Sequence, residues 1–89
     1  MAKVILNRMI GVEGTLYTQM TKTHDTDLVP VVGNDVGDLA WHHPVKIMRV
    51  VCDMTASTHH VELEDLVLDS SEKVDRHIEM LGHHDWAKA

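Results

Sequence analysis

Residues 45–54, Val-Lys-Ile-Met-Arg-Val-Val-Cys-Asp-Met, constrain this chain more than any other stretch. The run is the densest in apolar residues and is rich in β-branched side chains. It is far shorter than the roughly 20 residues of a membrane-spanning helix, so it reads as a buried strand. Pro44 precedes it and makes His43 extended. Only the small polar connection Thr55-Ala56-Ser57-Thr58 follows it. A parallel crossover needs about a dozen residues or more, so a strand at 60–68 must pair with 45–54 as an antiparallel hairpin. Val61 and Leu63 alternate there with His60, Glu62 and Glu64. Alternation favours a strand; the other reading is a short helix capped by Ser57 or Thr58.

The elements on either side follow from the same kind of patterning. In residues 3–10, Val4, Leu6 and Ile10 share one face with Arg8, which predicts a strand. Gly11-Val12-Glu13-Gly14 reads as a turn, and Leu16, Thr18 and Met20 then line one side of a second strand over 15–21. Together they predict a hairpin. Residues 22–27 are polar and turn-like. Pro30 makes 28–32 an edge strand or an extended loop. Residues 33–38 form a loop that lacks the Gly-Lys-Ser/Thr of a phosphate loop and the ligand spacing of an EF-hand. Near the C-terminus, Asp69 and Glu72 have capping-box spacing, and Val74, Ile78 and Leu81 form an apolar stripe. Glu72 and Arg76 are a favourable i, i+4 pair, and Gly82 suits the end of the helix. These signals predict a helix over 70–81 and a short tail over 82–89.

The expected architecture is α+β, a single small domain over 1–89. It consists of a small antiparallel sheet of about four strands, with the C-terminal amphipathic helix packed on it. With 89 residues, one cysteine and no phenylalanine, the core must be aliphatic and no internal disulfide exists. Domains of this size bury little surface, which makes a metal or a partner subunit a live question. Six methionines suit an adaptable core or an apolar contact surface. The formal charge of −6 and the lack of a Lys/Arg cluster argue against nucleic-acid binding. No apolar stretch approaches a membrane span and no signal peptide is apparent, so a soluble, cytoplasmic protein is the expectation.

Three sets of residues attract chemistry. Eight histidines make the charge sensitive to mild acid, and six of them stand as pairs: His42-His43, His59-His60 and His83-His84. Imidazole is a common ligand for Zn, Ni or Cu. The spacing matches no metal motif, and adjacent strand residues point to opposite faces. In a 45–54/60–68 hairpin, the first two pairs lie at opposite ends, roughly 30 Å apart at about 3.3 Å per residue. The candidate metal set is therefore His59, His60, Asp53 and Cys52. Cys52 is also the candidate thiol, although sharing a face with Met48, Val50 and Met54 is how a core cysteine looks. Trp86, with His83 and His84, is the candidate interaction element: its indole must dock on the domain or contact a partner.

Residues 45–55, followed by Glu62-Leu63-Glu64-Asp65-Leu66-Val67, resemble the Cys-bearing strand and following helix of DsrE-like sulfur-relay proteins. The resemblance covers about a quarter of the chain and implies a helix over the acidic segment and a persulfide-carrying Cys52. The N-terminal strand–helix units of that family are not evident. By function, the first expectation is a small acidic interaction module or accessory subunit, homo-oligomeric and without catalysis of its own. A transition-metal-binding protein is the second, and a thiol or sulfur carrier the third.

Overall fold

The computed structural model describes residues 3–15 and 17–89. Leu16, expected on the inner side of the second strand, lies outside them. In chain order the elements are β1 (Lys3–Val12), β2 (Thr18–Asp25), β3 (Asp35–Val36), β4 (Val45–Asp53), β5 (Thr58–Leu63), β6 (Leu66–Leu68), α1 (Ser71–Gly82) and β7 (Ala87–Lys88). Among the described residues they form one curled seven-stranded sheet with the order β3-β4-β5-β1-β2-β7, while β6 continues the β5 side of β1. No helix among these residues is long and apolar enough to cross a membrane.

Both expected hairpins form. β1 pairs antiparallel with β2, from Lys3 opposite Asp25 to Ile10 opposite Thr18. β4 pairs antiparallel with β5, with Val50 opposite Val61 and Cys52 opposite His59. The expected small four-stranded antiparallel sheet is nevertheless wrong. β1 runs parallel to β5 and β6, so the sheet is mixed, and β1 lies in its middle between β5 and β2. The reason is the connection between the hairpins. Residues 26–44 carry the chain from the β2 edge to the opposite edge, which brings the β4–β5 hairpin in with β5 alongside β1. Local pattern specifies each hairpin but not their mutual direction. β3, β6 and β7 are only two or three residues long and gain their partners from the tertiary fold.

Burial follows the alternation in β1: Val4, Leu6, Arg8 and Ile10 point into the core. Opposite them Met20, Val61 and Leu63 complete the inner face. α1 lies against β1 and β6 through Val74 and Leu81, with Ile78 packed alongside. Each such buried aliphatic side chain contributes on the order of 1.5–3 kcal/mol. β2 runs on to Asp25 through residues expected to be a turn, because the long β1 offers them a ladder partner. Gly11 is a strand residue, not part of the turn. A Cβ there would lie 2.9 Å from the Tyr17 ring, so the close approach of that ring requires glycine.

The helix starts one residue later than expected, capped by Ser70 rather than Asp69. Ser70 is extended, with φ −151° and ψ 153°, and its hydroxyl accepts the Lys73 N–H at 3.3 Å. Asp69 is left to pair with the Lys73 ammonium at 2.9 Å. Glu72 and Arg76 form their ion pair. Gly82 remains helical. The chain leaves the helix through His83, with Asp85 taking the left-handed conformation at φ +68°.

Candidate functional site

The β4–β5 hairpin end holds the expected metal and thiol candidates. Directly opposed residues of a ladder share a face, so Cys52 and His59 lie on the core face of the sheet, with Val4 beside His59. Asp53 and His60 lie on the other face, His60 opposite Val51. The four candidates therefore divide two and two between the faces. Among the described residues, no three His, Cys, Asp or Glu side chains gather as a metal-holding group. Asp53 closes the turn instead: its Oδ1 accepts the Thr55 N–H at 3.0 Å and the Ala56 N–H at 3.1 Å. His59 Nδ1 is buried without a hydrogen-bond partner. His42 and His43 are exposed in the turn before Pro44, at the far end of the hairpin from His59.

Cys52 is exposed, which corrects the expectation of a core cysteine. Its place near the end of the hairpin, beyond the cover that β3 and the loop give to Val45–Ile47, is the cause, and a β-bulge displaces Met48 as well. Ile47 faces Leu63 and Arg49 faces Glu62, so Met48 is an extra residue in β4. The bulge puts Met48 out of phase with Val50 and Cys52. Met48 and Met54, expected on the buried face, are 53% and 88% exposed. Cys52 itself stays in phase with Val50, one row before the terminal Asp53–Thr58 pair. The helix that the DsrE-like resemblance implies over 59–67 is absent: β5 and β6 occupy it.

The C-terminal tail takes the docked alternative. Trp86 is buried and packs on Trp41 with ring centroids 5.4 Å apart. Behind it Ala87 and Lys88 pair with Thr21 and Met20, and the Ala89 N–H reaches the Gln19 carbonyl at 2.9 Å. The Trp86 ring is thus committed to its own subunit. His83 is exposed at the helix end and His84 is half-buried.

Around the two tryptophans the structure gathers charged groups that sequence reasoning missed as a cluster. The Arg8 guanidinium stacks 5.3 Å from the Trp41 ring centroid, and its Nε–H donates to the Glu64 carbonyl at 3.0 Å. Burial lowers the Arg8 pKa, with Glu64 and Asp65 acting in the opposite sense. Lys22 and Asp38 form a partly buried ion pair of 3.0 Å that ties the long connection to β2. Burial pushes the Asp38 carboxyl up, but the Ala40 N–H and Lys22 outweigh it, and its pKa is lowered. The Trp86 indole N–H also faces this carboxylate, although it makes no hydrogen bond of normal geometry. Burial, reinforced by the charge of Arg8, lowers the pKa of His77. The one signal for this cluster was Arg8 on the apolar face of β1. The partners come from segments far away in sequence. Each member anchors an element, and the cluster reads as structural.

What remains for function is exposed apolar surface. Leu28, Val29, Val31 and Val32 are all exposed on the loop that follows β2. Part of that loop overhangs Val4, Leu6 and Ile47, leaving an open cleft of about 520 Å³. Its end joins the β4 margin, where the Gly33 N–H donates to the Ile47 carbonyl at 2.9 Å and the Ile47 N–H to the Asn34 carbonyl at 2.8 Å. Among the described residues, no strand lies beside the outer edge of β4 beyond Ile47. Met48, Val51 and Met54 are exposed along or just past that edge. Compared with known proteins, the chain matches no family model, no curated protein and no solved structure.

Proposed function

We propose that this protein is a small acidic interaction module, without catalysis of its own, that assembles as a homo-oligomer. The observation that carries the reading is the concentration of exposed apolar side chains on one margin of the sheet. Met48 and Val51 lie along β4, Met54 follows it, and Val31 and Val32 lie on the loop that joins it. Large apolar patches on a soluble domain mark contact surfaces. An uncovered strand edge adds a row of unpaired backbone donors and acceptors, which natural sheets normally cover or charge. The contact is thus assigned to the β4 margin, in place of the Trp86 tail expected from sequence. A lone exposed thiol fits a reducing, cytoplasmic setting.

Sedimentation velocity over a wide concentration range tests the reading. Association in the micromolar range is the expected result. A chain that stays monomeric up to about 1 mM has no self-affinity of biological use and ends it.

A further inference from the structure

We infer that the outer edge of β4 is a self-complementary docking strand, and that its occupant is β4 of a second copy, antiparallel about a two-fold axis at Val51. The inference rests on the homo-oligomer reading and names its interface and register.

The backbone limits the possible registers. Ile47 points its N–H and carbonyl outward, to Asn34 and Gly33. The bulge at Met48 places two β4 residues, Met48 and Arg49, against Glu62. Alternation then resumes, so Val50 and Cys52 point their backbone groups outward and Val51 points its own toward β5. A symmetric antiparallel pair must set outward-pointing residues against outward-pointing residues. Only axes centred on residue 50, 51 or 52 do so within the open stretch.

Charge selects among the three. With the axis at Val51, Arg49 of each copy faces Asp53 of the other, Val50 faces Cys52, and Val51 faces Val51. Centring on Val50 sets Arg49 against Val51, and centring on Cys52 sets Asp53 against Val51. Neither forms a cross-strand ion pair. Opposite charges directly across a ladder stabilise it, and so do β-branched pairs. The groups needed are free to act. The turn bonds of Asp53 both fall on Oδ1, leaving Oδ2 for the partner. Arg49 is held only by a 3.9 Å contact with Glu62, with 67% of its side chain exposed. A contact that weak and exposed contributes little. Val51 is 41% exposed in the isolated chain. The pairing would join two sheets into one, and would set both Val51 side chains side by side on the outer face.

Two measurements on the full chain test this. Sedimentation velocity compares the wild type with Val51→Lys and Arg49→Glu. Both changes are on the surface, and circular dichroism checks that each variant is folded. Val51→Lys sets two ammonium groups across the axis, and Arg49→Glu sets a carboxylate against Asp53. Each is expected to weaken self-association at least about tenfold. The register is read by mild oxidation. A Val51→Cys/Cys52→Ser variant should cross-link to a disulfide dimer, because residue 51 faces itself. The wild type, whose Cys52 faces Val50, should cross-link far less. A wild-type dimer that both charge variants leave intact, or cross-linking through Cys52 in preference to position 51, overturns the interface or its register while the homo-oligomer reading stands. A monomeric wild type overturns both.

Discussion

At the β2 edge the chain folds back on itself. Trp86 drops into the core beside Trp41, and β7 then covers Met20 and Thr21. Among the described residues, the stretch of β2 after Thr21 that has no outer strand is Lys22-Thr23-His24-Asp25, which is polar. At the β4 edge, β3 covers Val45 and Lys46, the loop reaches Ile47, and the cover ends. The part left open there is Met48-Arg49-Val50-Val51-Cys52-Asp53. Polar side chains discourage a foreign strand from docking, and Val51 between Arg49 and Asp53 invites a matching one. The contrast teaches that edge cover and edge chemistry go together in this fold. The cover on the β2 edge is anchored by an aromatic plug and leaves only polar residues open, whereas the stretch left open on β4 carries apolar ones.

The sharpest way to break this comparison is to remove the plug. Trp86→Ala should cost about 3–5 kcal/mol in urea unfolding, enough to threaten a domain this small. It should also raise hydrogen exchange at Met20 and Thr21 as β7 loses its anchor. A cost below about 1 kcal/mol would mean that the tail is not held by the core. Next in size is Asp38→Ala, which leaves the partly buried Lys22 ammonium and the Ala40 N–H without their acceptor. It should cost about 2 kcal/mol. The pair also sets an acid limit. The Asp38 pKa is lowered on folding, so its contribution is fully present above the unfolded carboxylate value of about 3.9 and is lost as pH falls through the lower folded value. Acid unfolding of the Asp38→Ala variant should therefore lack that component, and an unchanged acid limb would remove Asp38 from the account.

His77 gives a smaller effect at milder pH. Burial and Arg8 lower its folded pKa, so the unfolded chain takes up the proton first. Stability is undiminished above about pH 6.5 and declines below it, until the folded His77 titrates as well. Urea titrations between pH 7 and 5 should show this decline in the wild type and a shallower one in His77→Gln. Equal slopes would assign the decline to other histidines. The smallest expected effect on folding sharpens the contrast from the other side. Val51→Lys, at the open edge, should change the stability of the monomer by less than about 0.5 kcal/mol, although it disrupts association. A larger loss, measured at concentrations where the chain is monomeric, would mean that Val51 belongs to the core and not to an interface.

Much of the local structure was legible in the sequence. The alternation of Val4, Leu6, Arg8 and Ile10 placed all four on the inner face of β1, and all four are buried there. The four-residue connection 55–58 required the β4–β5 hairpin, which forms. The stripe Val74, Ile78 and Leu81 marked the helix. The failures have physical causes of their own. Strict alternation misplaced Met48 because a bulge there breaks it, and no residue type announces a bulge; Cys52 keeps the face of Val50 but is exposed near the end of the hairpin. The helix cap fell to Ser70 over Asp69, since adjacent residues both have the capping chemistry and backbone geometry chooses between them. Trp86 was left open between its own core and a partner, and only the position of Trp41 decides that.

The sequence by itself determined the pieces of this protein: two hairpins, one amphipathic helix, a core without phenylalanine, and an acidic surface without a basic patch. These depend on periodicity, connection length and composition, which act between near neighbours. The tertiary structure alone decided that β1 is the middle strand, that β5 joins it in parallel, and that the outer edge of β4 is uncovered. Those outcomes depend on where the 26–44 connection crosses the sheet and on how Lys22, Asp38 and the two tryptophans hold it there. They are contacts between distant residues, whose energies are set by burial and geometry that no local pattern contains.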